Sequence, residues 1–257
     1  MRGMNAALSA RDIALHYPGS PHPVLAGLDL DLHPGRIVAL LGPSGIGKSS
    51  LLRTLAGLET ASFGRIMVGG TSIEGAHPAV ALAFQNPALL PWLTLEKNVG
   101  FGLDFKHQPA LTTSERKARV QEAIAAVGLQ AARHLHPSQL SGGMASRAAL
   151  ARCLARHPAV LLLDEPFGAL DEVTRAEMQQ LLLRIVAERR PATLLITHDI
   201  DEALLLADRV LLLGGTPAGV VGDWDIDLPQ PREALLDELG RLRIEILQTL
   251  RTALRSH

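Results

Sequence analysis

Two short runs in this chain carry groups suited to holding a phosphate, and they lie about a hundred residues apart. "GPSGIGKSS" (residues 42–50) fits Gly-x4-Gly-Lys-Ser, between an apolar strand pattern and a helical one. Glycines there let backbone N–H groups wrap phosphate oxygens, Lys48 reaches the β and γ oxygens, and the Ser49 hydroxyl suits Mg2+. This reads as a nucleoside triphosphate site rather than a plain glycine-rich turn. The second run, "QLSGGM" (139–144), opens the helical stretch "MASRAALARCLAR" with a serine and two glycines. Free N–H groups and the positive end of a helix dipole make such a start an anion site. No lysine stands beside it, so it lacks a cation of its own.

Two strand ends add reactive groups. "AVLLLDEP" (159–166) ends a continuous apolar run in Asp164 and Glu165, and "LLITHD" (194–199) ends another in His198. Open α/β sheets present ligands at their strand ends. Asp164 suits a direct or water-mediated hold on Mg2+, and Glu165 can polarise an attacking water.

The elements that must carry these groups follow from the hydrophobic periodicity. "DIALHY" and "LDLDLH" alternate, while "RIVALLG" is apolar throughout, the mark of a strand buried on both faces. "LLRTLAG" reads as a helix closed at Gly57, "GRIMVGG" and "AVALAFQ" as strands, and "TTSE" (112–115) as a capping box ahead of Val120, Ile124 and Val127. A helix is expected over about 172–189, with "DRVLLLGG" and "AGVVG" as closing strands. The tail from Pro229 reads as a helix with Leu235, Leu239, Leu242, Ile246 and Leu250 on one stripe. Strands alternating with helices predict an α/β fold with a largely parallel sheet, and the block from about 88 to 158 reads as an inserted helical subdomain.

The bulk numbers exclude some classes. A net charge of −1 gives no footprint for nucleic acid or anionic lipid. The 47% of hydrophobic residues supports a sizeable core. The single Cys153 forms no internal disulfide and reads as a small buried hydrophobe rather than a reactive thiol. The N-terminal residues lack the apolar stretch of a secretory signal, and no run reaches the ~18 apolar residues of a membrane span. The expectation is a soluble chain, which leaves work at a membrane surface open.

Taken in order, "GPSGIGKSS", "FQNP", "LSGGM", "LLLDEPFGALD" and "THD" resemble the ATP-binding subunits of ABC transporters, over about residues 10–230. The resemblance implies a P-loop NTPase fold: a RecA-like core (about 10–87 and 159–228), an N-terminal antiparallel β region, an inserted α-helical subdomain (88–158) and a C-terminal helical tail (229–257). It implies ATP and Mg2+ as cofactors. Gly42, Pro43, Ser44, Gly45, Ile46, Gly47, Lys48, Ser49 and Ser50 would cradle the triphosphate. Tyr17 would stack on adenine, worth ~1–3 kcal/mol, with a partly buried core tyrosine as the lesser alternative. Gln85 would touch the metal or its water, beside Ser49 and Asp164. Glu165 would be the general base and His198 the γ-phosphate contact, with Lys48 completing the catalytic set. Ser141, Gly142 and Gly143 would cap the γ-phosphate held by a second copy of the chain, and Asp171 would cross between the two copies.

The same resemblance implies further partners. Residues 86–103, with Leu89, Leu90, Pro91 and Trp92 foremost, would receive a transmembrane permease subunit, and a solute-binding protein would act indirectly. The chain would then work at the cytoplasmic face of the inner membrane. "LLPWLTLEKNVGFGL" and "GDWDIDLPQPRE" look most like the nitrate/sulfonate/taurine importer branch, with thiamine-precursor importers as neighbours. A soluble ABC ATPase of DNA repair or translation is the rival, but it would bring long coiled coils or two ATP units. Arg36, Ile46, Ser50, "TASFG" (60–64) and Ser146 depart from the usual pattern, and Ser146 puts turnover in question.

Overall fold

The pattern of short apolar runs between turns builds two sheets. The computed structural model describes residues 6–17, 19, 22–105, 108–232 and 234–255; the first five residues and the last two of the tail lie outside the described residues. Strands β1 (Leu8–Leu15), β2 (Leu25–Leu32), β4 (Phe63–Val68) and β5 (Thr71–Ser72) form an antiparallel sheet in the order β2-β1-β4-β5. The second sheet contains β3 (Ile37–Leu41), β6 (Val80–Ala83), β7 (Val160–Asp164), β8 (Ala192–Ile196), β9 (Arg209–Gly214) and β10 (Gly219–Asp225). Its order is β10-β9-β3-β8-β7-β6; the strands run parallel except β10, which pairs antiparallel with β9.

All five residues of β3 are buried, as its unbroken apolar pattern predicts. They divide between two cores. Ile37, Ala39 and Leu41 join the core under the helices, and Val38 and Leu40 join the one under the antiparallel sheet. After β3 the chain next enters this sheet at its β6 edge, whereas from β8 it crosses β3 to reach β9, so the connections run in opposite directions at β3. That is the kind of place where an open α/β sheet opens a crevice at its strand ends.

The helices are α1 (Lys48–Leu55), α2 (Leu95–Val99), α3 (Thr113–Ala126), α4 (Gly142–Leu154), α5 (Glu172–Arg189), α6 (Ile200–Leu206) and α7 (Leu236–Arg255). Gly57 closes α1 with its N–H on Thr54 O, and α3 carries the expected capping box from Thr112 and Glu115. α5 has the bounds its pattern predicts. Between β6 and β7 the chain is less regular than expected: α2 to α4 and two short 3-10 turns are separated by extended loops.

The tail corrects its expectation at one end. Its helix starts at Leu236 rather than Pro229, because the preceding segment is held in place by Arg232. That guanidinium is 2% exposed and donates to the carbonyls of Leu228, Leu204, Ala207 and Ile226. The stripe holds: Leu239 and Ile246 are buried in the core, and Leu242 and Leu250 pack against it.

Candidate functional site

Four adjacent parallel strands deliver the candidate residues from their C-terminal ends. The loop 42–50 leaves β3, Asp164 ends β7 with Glu165 next, His198 stands two past β8, and Gln85 two past β6. Gly47 caps α1 at φ 100, a left-handed conformation that a β-carbon resists, and it leaves the first helical N–H groups without a side-chain cap. No acidic residue stands in the first turn of α1, which suits an anion there. Lys48 is buried and its Nζ donates to Gly42 O at 2.7 Å and Pro43 O at 2.9 Å, so its ammonium is held inside the loop. Burial pulls that ammonium below the usual lysine value, while Glu165 and Asp164 pull it back up.

Tyr17, Ser44, Gly45, Gly47 to Ser50 and Glu165 line an open hollow of about 200 Å³. Tyr17 is 44% exposed and shares a hydrogen bond with Ser50 at 2.6 Å, so it belongs to the hollow and not to the core. Pro43 supplies a carbonyl to Lys48, and Ile46 packs partly against the core behind the loop. Ser49 Oγ donates to Asp164 Oδ1 at 3.2 Å. Burial raises the Asp164 carboxyl above its ordinary value; the Ser49 bond opposes this and the charge of Glu165 adds to it. A hydroxyl and a crowded carboxylate at this spacing fit a hard divalent cation, which prefers oxygen ligands and keeps several waters.

Glu165 has φ 44, a conformation costing ~1–3 kcal/mol for a residue with a side chain. Its own N–H bonds Ile196 O at 3.0 Å, and its carbonyl accepts from Gly168 at 3.2 Å. Its Oε2 accepts from Gln85 Nε2 at 3.3 Å and lies 3.4 Å from His198 Nδ1. Residues from three strand ends thus meet at one carboxylate oxygen. The imidazole of His198 is 64% exposed, open to whatever lies over the hollow.

Ser141 caps α4, its Oγ accepting from Met144 at 3.3 Å, and Ser141 and Gly142 are exposed. Among the described residues, none of 139–144 lines the hollow at 42–50. Asp171 caps α5 through Thr174 N–H at 3.0 Å and accepts from Thr174 Oγ1 at 2.7 Å; those bonds, led by the backbone one, lower its carboxyl pKa. A β-carbon on Gly143 would lie 2.4 Å from Thr174 Cγ2, so the two helix starts are packed together. Arg147 on α4 pairs with Glu177 on α5. Ser146 faces a small hollow shared with Gln85, Pro166 and Phe167.

Some positioning residues gave no sequence signal. Arg152 on α4 donates to Ala88 O at 2.9 Å and Pro87 O at 2.8 Å, holding the segment after Gln85. Asn98 is fully buried and bonds Leu90, Leu93 and Thr94, fixing the loop that presents Trp92. Of the four residues singled out there, Pro91 and Trp92 are exposed, while Leu89 packs against the core. Arg36, one of the departures, pairs with Asp208 at 2.7 Å and ties β3 to the start of β9.

A phosphate-wrapping loop ahead of a helix, with two acids on a nearby parallel strand, defines a P-loop NTPase. The family described as ABC transporter matches residues 25–168. The aliphatic sulfonates import ATP-binding protein of Xanthomonas axonopodis pv. citri is 44% identical, covering 95% of this chain and 98% of that one. The nitrate import ATP-binding protein of Synechococcus elongatus is 41% identical, over 91% and 86%. A dimeric ATP-binding cassette solved in a post-hydrolysis state with ADP and Pi is 27% identical, with a TM-score of 0.74 over 86% of this chain and 100% of that one. The chain belongs to the ABC transporter family.

Proposed function

We propose that this chain is the ATP-binding, ATP-hydrolysing subunit of a membrane importer, working as a head-to-tail dimer in which each phosphate loop is completed by the partner's signature. The observation that carries this is the divided site. The hollow at 42–50 has cationic and metal-holding groups but is open on one side, and the helix start at 141–143, exposed at Ser141 and Gly142, suits an anion but has no lysine beside it. A two-fold dimer brings the two halves together. The dimeric cassette with ADP and Pi supports that assembly here.

Within each site, Lys48 and the N–H groups of 42–50 hold the triphosphate, and Tyr17 offers its ring to the base. Ser49 and Asp164, with Gln85, would hold Mg2+, which supplies charge neutralisation on the phosphates when bound. Glu165 accepts a proton from water aimed at the γ-phosphate, oriented by Gln85 and His198, which flank its Oε2. Ser141, Gly142 and Gly143 cap the γ-phosphate of the partner's ATP, and Asp171 crosses the interface. ATP therefore joins the copies, and phosphate loss releases them.

Closure has to reach a permease. Trp92 is 70% exposed, and Phe101 and Phe105 stack edge to face at 5.3 Å beside a hollow of about 570 Å³ that includes Leu93 and Val120. This face, its aromatic rings set among the charged Glu96, Lys97, Asp104, Arg116 and Lys117 and its loops held through Arg152 and Asn98 to the segment after Gln85, is our permease-docking surface. The helices of residues 88–158 would then move as a unit against the core. The sulfonate and nitrate import relatives favour a small anionic solute delivered by a solute-binding protein, with the chain at the cytoplasmic face of the inner membrane.

Glu165→Gln tests the hydrolytic part. It should lower turnover by ~10²–10⁴-fold and hold the chain as an ATP-bound dimer in size-exclusion chromatography. Turnover at the parent rate would remove Glu165 as the base. Uptake assays on the assembled complex with aliphatic sulfonates and nitrate test the solute.

A further inference from the structure

Glu202 is a buried carboxylate on the first turn of α6, four residues beyond His198, and the reaction as described makes no use of it. An acid at that place in a helix is ordinarily solvent-exposed, where it complements the dipole. Here it turns inward. Its Oε1 accepts from Gln179 Nε2 of α5 at 3.1 Å, and it is hydrogen-bonded to the Thr197 hydroxyl. Burial pushes its carboxyl above the usual glutamate value, and those two bonds oppose the push.

Both bonds lead to the hydrolytic groups. The Thr197 hydroxyl also accepts from Asp199 N–H at 3.0 Å, so it clasps the backbone on both sides of His198. Asp199 in turn accepts from Asp201 and Glu202 N–H groups at 2.9 and 3.2 Å. On α5, one turn before Gln179, Arg175 donates to Leu170 O at 3.1 Å, in the loop that runs from Glu165 to Asp171. A single face of α5 therefore touches the loop after Glu165 through Arg175 and the turn of His198 through Gln179 and Glu202.

We infer that Glu202 is a positioning residue for hydrolysis: through Thr197 and Gln179 it fixes the turn bearing His198 against the strand end bearing Glu165. The 3.4 Å approach of His198 to Glu165 depends on two loops from different strands keeping register. Glu202 is the group that bonds one of these loops to the helix that steadies the other. This rests on the reading of Glu165 and His198 as the hydrolytic pair.

The test uses full-length variants, with ATP turnover and nucleotide affinity measured separately. Glu202→Leu keeps the bulk and removes both acceptors. It should lower kcat by about 10- to 100-fold, the loss that misplacement of a reacting group brings, with KM and the affinity for a fluorescent ATP analogue within about twofold. Glu202→Gln retains one acceptor and gains a donor for the other partner, so it should return kcat to within about threefold of the parent. Thr197→Val, which needs no cavity, should reproduce Glu202→Leu, and the double variant should be no worse than either alone. Turnover at the parent rate in Glu202→Leu or Thr197→Val overturns the inference. So does a loss of ATP affinity and melting temperature that tracks the loss of kcat, or a failure of Gln to rescue. If Glu202→Leu does not fold, Thr197→Val and Glu202→Gln decide. Glu165→Gln is run alongside: if that variant turns over normally, the hydrolytic reading fails, whereas its loss beside a normal Thr197→Val removes the inference alone.

Discussion

A methyl group at Gly143 would meet Thr174 Cγ2 at 2.4 Å, and Thr174 cannot swing aside without breaking its hydroxyl bond to Asp171. Alanine is the better helix former, yet Gly143→Ala should cost about 1–3 kcal/mol in denaturant unfolding. The double variant Gly143→Ala with Thr174→Ser, which lacks the obstructing methyl and keeps the hydroxyl, should recover most of that loss. Additive losses in the two variants would refute the steric account. The glycine was legible in the sequence as part of an anion-binding helix start, but this second reason was not. It depends on a residue 31 positions away, on a helix that starts beside it only once the chain is folded. The same holds for Glu202, whose charge and helical position both suggest solvent exposure. By contrast, the places of Lys48, Ser49, Asp164 and His198 beyond or at strand ends were legible, because each is set by its immediate neighbours, a strand before and a turn or helix after. Cys153 was legible for a related reason, being set among alanines and leucines on α4. Burial pushes its thiol up to about 11, so it is a packing residue.

Arg232 shows what element-level reading misses. The tail's apolar stripe set the helix face correctly but placed its start seven residues early, because the stretch before Leu236 is arranged around a buried guanidinium. That group bonds two carbonyls at the end of α6, Leu204 and Ala207, where a helix dipole favours positive charge, and two on the segment after β10. Among the described residues no carboxylate is bound to it, and its desolvation is offset by four carbonyls. Arg232→Met matches its length and apolar stem but strands those acceptors. Loss of about 2–4 kcal/mol is expected, roughly 5–10 °C in melting temperature for a chain of this size. Arg232→Lys should recover little, since one ammonium cannot span the fork. ATP affinity should hardly move in either variant, because the acceptors of Arg232 adjoin Asp208, which bonds Ile37 at the N-terminal end of β3, while the phosphate loop leaves the C-terminal end of that strand. An unchanged melting temperature would mean that water satisfies these carbonyls as well as the guanidinium does. Asn98 and Arg152 work in the same way for the loops after Gln85: polar side chains tie irregular backbone to neighbouring helices. Such segments carry no periodicity, which is why the block between β6 and β7 read as more helical than it is.

At the scale of the whole molecule, the divided phosphate site makes a prediction that a self-contained site would not. Ser141→Arg puts bulk and charge where the partner's γ-phosphate is proposed to lie, and Lys48→Ala removes the cation from the phosphate loop. Each variant alone should bring ATP turnover near zero, since both sites of its dimer are damaged. In a mixture, however, a mixed dimer pairs the intact loop of the Ser141→Arg copy with the intact signature of the Lys48→Ala copy. Its other site carries both defects. With equal amounts and free exchange, half the dimers are mixed and each has one sound site, so about a quarter of the parent's sites should be restored. Turnover should appear only on mixing and should follow the product of the two concentrations. If the serine served the lysine of its own chain, every copy in the mixture would be defective and no activity would return. The exposed position of Ser141 and Gly142, outside the hollow that holds Lys48, favours recovery.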